Sequence, residues 1–314
     1  MPEGEWRLSL RGAAVALAVI ALTIYALSII LHVDLEKVLA STPPWILPLC
    51  ASAYVAGEAV RAVRLGILVE EMTGCRTGAP RSLTARLSGN LIALLTPSIG
   101  GGEAVRGALA CPEHAGRSAV VGVLDGGIDL VANYLIAAAG LPLLAVSGYI
   151  HEAGLLVPGL LIASPVFAAW SLALGSRRVF NAIVSRAERL PLVSRWLKGV
   201  ASLPPPPSLP LTRRVEIAFL SVVGWILNYA EILPLQLLYC GHAAPACIIG
   251  FIASFLAGVL PTPGGVGTVD YYMSLFICPE AVITWRIIRT VYIAGLGAVS
   301  TLAAAGKLVK RHDE

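Results

Sequence analysis

Charge is what this sequence has least of. Of its 314 residues only 13% are Asp, Glu, Lys or Arg, about half the roughly 25% of an ordinary soluble domain. A chain so poor in charge cannot cover a soluble globule with polar surface, is too apolar to stay disordered, and offers no basic face to a nucleic acid. Cysteine is sparse and scattered. The six (Cys50, Cys75, Cys111, Cys240, Cys247, Cys278) include no C-x-x-C pair, and no histidine stands at ligand spacing. They read as small apolar core residues, and neither a disulfide-stapled scaffold nor a metal site is expected. Catalytic signatures are missing too: there is no G-x-S-x-G, Walker loop, H-E-x-x-H or Ser-His-Asp order. The histidines (His32, His114, His151, His242, His312) fall in predicted loops or at the ends of apolar runs. No enzyme activity, catalytic residue or cofactor is expected.

What is present is apolar. Hydrophobic residues make up 57% of the chain and its mean hydropathy is +0.79, so an all-α integral membrane protein is predicted. Six runs are long enough to cross a bilayer: 12–31, 45–69, 117–146, 154–175, 213–240 and 283–306. No small-residue cleavage site follows the first, which is read as a retained span. Two further segments are too short and are broken by helix-stopping residues. The first runs from Ser82 to Leu95, through Thr96-Pro97-Ser98-Ile99-Gly100-Gly101-Gly102, to about Ala110. The second joins Ala246–Leu260 to Val266–Phe276 through Pro261-Thr262-Pro263-Gly264-Gly265. Both are predicted to be re-entrant helix pairs.

Loop charges orient the chain. Segments 61–81 and 176–214 carry four and eight Lys or Arg, whereas segments 32–44, 148–153 and 241–244 carry only Lys37. Both termini are therefore expected in the cytoplasm, with the protein in the cell membrane. Residues 176–212 form a cytoplasmic insertion: an amphipathic stretch bearing Val179, Phe180, Ile183, Val184 and Leu190, then the stiff run Pro204–Pro207. The two broken segments also align. Ser254 follows Ser88, and Thr262-Pro263 follows Thr96-Pro97, by the same 166 residues. One membrane domain, 1–314, built from inverted halves of about 1–150 and 151–314, is the expected organisation. Inverted repeats with broken helices meeting near the midplane are a common plan of secondary transporters.

The segment Leu94-Leu95-Thr96-Pro97-x2-Gly100-Gly101-x-Glu103-x2-Arg106 and the later Leu260-Pro261-Thr262-Pro263-Gly264-Gly265-Val266-Gly267 resemble the paired signatures of the lysylphosphatidylglycerol synthase transmembrane, flippase-like, family. The resemblance implies translocation of a phospholipid, aminoacyl-phospholipid or polyprenyl-linked lipid between leaflets, by a membrane domain without a catalytic site. The sequence differs from the family's pattern at Asp125-Gly126, where an acidic residue is often followed by arginine, and at Asp270, where glutamate is usual. No soluble transferase domain follows the last span, so an aminoacyl- or glycosyltransferase partner would be a separate chain. Membrane lipids are the expected partners, and a homodimer is an open alternative. The competing functional reading is a non-catalytic anchor or regulatory subunit for a cell-envelope enzyme.

Charged groups inside spans cost several kcal/mol unless paired or wet, so each is a site candidate. Glu58, Arg61 and Arg64 are spaced by three on the second span, and Glu58 can reach Arg61. Asp125 and Asp129 are one turn apart on the third. They would repel unless one holds a proton or an arginine intervenes, with Arg61 or Arg106 as the candidate partners. Arg286 and Arg289 are placed near the outer end of the last span, to meet phosphate or outer headgroups, with Trp285 beside them as an interfacial anchor. Glu231 and Asn228 are secondary candidates on the fifth. The headgroup itself is assigned to the glycine turns and their neighbours: Thr96, Pro97, Gly100, Gly101, Glu103 and Arg106, then Thr262, Pro263, Gly264, Gly265, Gly267 and Asp270. Backbone without Cβ atoms and a helix N-terminus both suit a phosphate, although small residues also serve close helix packing.

Overall fold

A computed structural model describes residues 10–96, 101–176, 178, 182, 209–256 and 266–312. Among them every regular element is a helix. In chain order these are α1 (Leu10–Ile30), α2 (Leu35–Ser41), α3 (Ile46–Thr73), α4 (Ala79–Leu95), α5 (Gly101–Ala110), α6 (Ala115–Val146), α7 (Ile150–Gly175), α8 (Leu211–Cys240), α9 (Pro245–Ser254), α10 (Thr268–Met273) and α11 (Pro279–His312). Local chemistry sets the ends. The Asp34 carboxylate accepts the Lys37 amide at 3.1 Å to start α2. Gly74, at φ +73°, turns the chain off α3 while its amide bonds Glu70 O. Gly241, at φ +72°, ends α8 in the same left-handed conformation, which glycine adopts without steric cost.

Five helical segments are long and apolar enough to cross a membrane: Ile46–Thr73, Pro112–Val146, Ile150–Ser171, Leu211–Cys240 and Pro279–Ala304. A sixth is added if Ala14–Ile30 and Leu35–Ser41, bent by 100°, are one span. Large apolar side chains point outward along them, among them Leu22, Ile162, Phe219 and Leu302. This is the surface of a multi-pass membrane protein rather than of a soluble one. The amphipathic and Pro-rich insertion expected at 176–212 lies almost wholly outside the described residues.

The two broken segments are hairpins. On α4 and α5, Gly89 lies against Gly102 and Arg106, so close that a Cβ on Gly89 would stand 2.2 Å from Arg106 Cγ. On the later pair, Gly250 and Cys247 of α9 touch Phe276 beyond α10. Disulfides close both hairpins at the base. Cys75, just past α3, bonds Cys111 after α5, with Cα atoms 6.4 Å apart. Cys240, at the end of α8, bonds Cys278 before α11 at 5.8 Å. Each hairpin therefore leaves on the side where it entered. The expectation that all six cysteines are core residues is corrected here: only Cys50 and Cys247 are free and buried. The pairing follows from chain return, which brings together cysteines 36 and 38 residues apart.

Helices α3 and α8 pack antiparallel through the middle of the molecule. Gly57 faces Asn228 and Gly224 faces Arg61, Arg64 reaches Ser221, and Arg213 reaches Glu71. Because the pair is antiparallel and α3 has 28 residues, about 42 Å at 1.5 Å per residue, the two disulfides stand at opposite ends of it. The largest core cluster surrounds this axis with Tyr54, Trp225, Tyr229, Phe251, Trp285 and Tyr292. Helix α4 packs on α11 and α9 on α6, so each hairpin leans on the long helix of the other half.

Candidate functional site

The buried charges of the first half form one network. Arg64 is completely buried and ties together three helices. Its Nε donates to Asp125 Oδ1 at 2.7 Å, and its Nη1 donates to Asp129 Oδ1 at 2.6 Å and to Ser221 Oγ on α8 at 2.8 Å. Arg86, on α4, donates from Nη1 to the other Asp125 oxygen at 2.6 Å and from Nε to Glu58 at 2.8 Å. Arg61 closes the ring, with Nη1 3.3 Å from both Glu58 Oε1 and Asn228 Oδ1, and Nε 3.8 Å from Asp129 Oδ1. Three guanidinium groups thus balance three carboxylates. In a low-dielectric interior only such close, multiply bonded pairing offsets the several kcal/mol lost on desolvating each ion.

The second half carries two separate pairs. Arg286 Nε donates to Asp270 Oδ1 at 2.6 Å, while Asp270 Oδ2 accepts the Gly267 amide at 2.9 Å, at the start of α10. Arg289 bonds Glu231, whose other oxygen accepts the Trp285 indole N–H at 2.8 Å. The Arg289 guanidinium also lies 5.4 Å from the Tyr54 ring, a cation–π contact back to α3. Tyr54 continues the path. Asn90 Nδ2 donates to its hydroxyl at 2.5 Å, and Asn90 Oδ1 accepts from Arg106 Nη2 at 2.6 Å. Arg106 itself pairs with Glu103, one turn back on α5, at 3.4 Å.

These groups surround a cavity of about 420 Å³, with walls from both hairpins and from α3, α6, α7, α8 and α11. Residues that line it carry unused hydrogen-bonding capacity. Arg61 Nε and Nη2, Arg106 Nε and Trp225 Nε1 have no hydrogen-bond partner, and neither does the acceptor Asn133 Oδ1. Arg61 also lies 4.8 Å from the Trp225 ring. Buried donors without partners are costly and rare in native proteins, so a cluster of them around a void is the signature of a binding site. The arrangement can hold an anion by charge-assisted hydrogen bonds. Every carboxylate named here is held by an arginine.

A family model described as the lysylphosphatidylglycerol synthase TM region matches residues 11–279, most of the chain. The chain belongs to this family. No curated protein and no solved structure matches it.

The described residues of the family's two signatures do different things. Thr96, Glu103 and Arg106 line it. Asp270 is fully buried, and its work is to hold Arg286 and the start of α10. Gly101 opens α5, and Gly102 beside it is pressed by Gly89 O and Ala93, so a neighbouring helix and not a ligand makes the close approach there. Gly267, at φ +97°, caps α10. Pro97, Gly100, Thr262, Pro263, Gly264 and Gly265 lie outside the described residues. Of the intramembrane charges, Glu58, Arg61, Asp129, Arg286 and Arg289 line the cavity; Arg64, Asp125 and Glu231 stand behind it as partners.

Three readings are corrected. Arg286 and Arg289 are bonded to Asp270 and Glu231 in the interior, not displayed to outer headgroups, because leaving either carboxylate alone would strand a buried charge. Trp285 is 0% exposed, since Glu231 supplies an internal acceptor for its N–H and removes its reason to seek the interface. Asp125 and Asp129 take Arg64 and Arg86 as their closest partners, with Arg61 second to Asp129 at 3.8 Å, while Arg106 pairs with Glu103 instead. Sequence reasoning also missed Arg86 outright. An arginine in a short apolar arm, one turn before Asn90, was the available signal. Tyr54, Asn133 and the tryptophans Trp170 and Trp225 carried none.

Proposed function

We propose that the chain is a lipid translocase: a phospholipid headgroup enters the charged cavity and crosses the membrane while its acyl chains remain in lipid. One observation carries the reading, namely arginine and indole donors without partners on residues that line a void of about 420 Å³ among helices long enough to span the bilayer. Family membership supports a membrane lipid as the cargo and sets no chemistry beyond it. An inverted repeat is part of this reading and would permit alternating access. Equivalent features recur at a near-constant spacing: Gly57 and Gly224, Arg61 and Asn228, Glu103 and Asp270, Cys75 and Cys240, Cys111 and Cys278 are 165 to 167 residues apart. The contacts between α3 and α8 are reciprocal across that spacing, as a two-fold axis in the membrane plane requires. The loop charges favour the cell membrane with both termini cytoplasmic. The chain is read as non-enzymatic, and any aminoacyl- or glycosyltransferase would act on the same lipid as a separate partner.

The test is leaflet exchange of fluorescent phospholipids and a polyprenyl phosphate in proteoliposomes, comparing wild type with Arg106→Ala. Exchange that the substitution abolishes is the expected result. Absence of exchange for every lipid, from protein shown to be folded, would favour the anchor or regulatory-subunit reading.

A further inference from the structure

The charges around the cavity cancel. Six arginines and six carboxylates line it or stand directly behind it, and each arginine has a carboxylate within 4.0 Å. A headgroup that is a simple monoanion would bring an uncompensated charge into this neutral, buried space, at a cost that rises as the local dielectric falls. A headgroup carrying both a phosphate and an ammonium would enter without one.

The open hydrogen-bonding groups divide the same way. On the α3, α5 and α8 side are donors: Arg61, Arg106 and Trp225, only 4%, 9% and 6% exposed. On α6 are acceptors: the Asn133 amide oxygen, 2% exposed and without a partner, and one turn before it the Asp129 carboxylate, whose side chain keeps 16% exposure. The Trp170 ring packs on Gly127 of the same helix and also lines the cavity, giving a π face of the kind that receives ammonium groups. The two sets adjoin, with Arg61 Nε 3.8 Å from Asp129 Oδ1. One head that carries both charges can therefore meet both sets.

We propose that the cavity selects a net-neutral phospholipid head, with its phosphate on Arg61, Arg106 and Trp225 and its single ammonium on Asp129 and Asn133. The proposal rests on the reading that a lipid headgroup occupies the cavity. It is tested by two measurements on the same preparation. One is binding of short-chain phosphatidylethanolamine and phosphatidylglycerol, read by tryptophan fluorescence; the other is leaflet exchange of their labelled long-chain forms. The ethanolamine lipid is expected to bind about tenfold more tightly, the factor that ~1.4 kcal/mol gives. Asp129→Asn and Glu103→Gln each leave one surplus positive charge at different points of the cavity, and both should move the preference toward the glycerol lipid. If Asp129→Asn does not fold, Glu103→Gln carries this arm, its side chain being 21% exposed. Equal affinities, a preference for the glycerol lipid, or a preference that neither variant moves would overturn the proposal. Preference without exchange would instead overturn the translocase reading and leave headgroup selection standing; exchange without preference would do the reverse.

Discussion

The two halves of the molecule hold their buried charges differently. In the first, Arg64 and Arg86 both grip Asp125, and their other contacts reach Asp129, Glu58 and Ser221, so none of these linked pairs can be removed alone. In the second, Asp270–Arg286 and Glu231–Arg289 share no atom, and the Trp285 ring lies against both guanidinium groups. The lesson is one of separability. The network ties α3, α4, α6 and α8 together, whereas each separate pair joins α11 to one other helix, α10 through Asp270 and α8 through Glu231. A translocase needs both: a frame that keeps the cavity and contacts that can be exchanged.

Paired substitutions should expose that difference most strongly. Arg64→Met with Asp125→Asn leaves Arg86 only Glu58 and Asp129 only the 3.8 Å contact with Arg61, and is expected to cost about 3 kcal/mol, the low end of the range for broken buried pairs. Glu231→Gln with Arg289→Met removes a self-contained pair and is expected to stay within about 1 kcal/mol of wild type. Thermal unfolding in detergent reads both, and equal losses would erase the contrast.

The disulfides should behave alike in stability and oppositely in access. Replacing Cys75 and Cys111 by serine, or Cys240 and Cys278, should cost about 3–4 kcal/mol in either case, because the loops closed are 36 and 38 residues long. They stand at opposite ends of α3 and α8, so an impermeant phosphine applied outside intact cells should reduce Cys240–Cys278 and spare Cys75–Cys111. Mass-tagging of the released thiols that gave the reverse pattern would invert the proposed orientation.

The hairpins differ in how tightly they are wedged. A Cβ on Gly107 would lie 1.7 Å from the Ser118 backbone oxygen of α6, which cannot move aside, whereas one on Gly250 meets the Phe276 side chain at 2.1 Å. Gly107→Ala is therefore expected to lose about 3 kcal/mol and Gly250→Ala about 2, since Phe276 Cβ, 2.5 Å away, moves only with the turn that carries it. The smallest effects belong to the α3–α8 crossing. Gly57→Ala and Gly224→Ala bring a Cβ to 3.2 Å from Asn228 Oδ1 and 3.1 Å from Arg61, and each should cost about 1 kcal/mol. A large difference between them would argue against the reciprocal packing on which the inverted repeat rests.

The membrane class, the order of the spans and the two breaks were legible in the sequence, because apolar run length and Pro-Gly interruption are local properties. The partners of the charges were not. Arg64 looks able to snorkel when only its helix is known; that it is instead buried between Asp125 and Asp129 depends on α6 crossing α3. The cysteines show where the remaining signal lay. Spacings of 36 and 38 residues match no motif, yet Cys75 and Cys111 stand 165 and 167 residues before Cys240 and Cys278, close to the offset that aligned the Thr-Pro breaks. Reading the cysteines in that register would have suggested two equivalent bridges. The glycines of the first turn carried two meanings, phosphate approach and helix packing, and only the position of Gly89 against Gly102 decides for packing at that residue.

The central claim is that lipid heads pass through the cavity. Val166 lines it from α7 and belongs to none of the ion pairs, so Val166→Trp fills the space while leaving every charge in place. Phospholipid exchange in proteoliposomes bearing this variant, with folding checked by an unchanged melting profile, should fall to the rate of protein-free vesicles. Exchange that continued at the wild-type rate with the cavity filled would contradict the account.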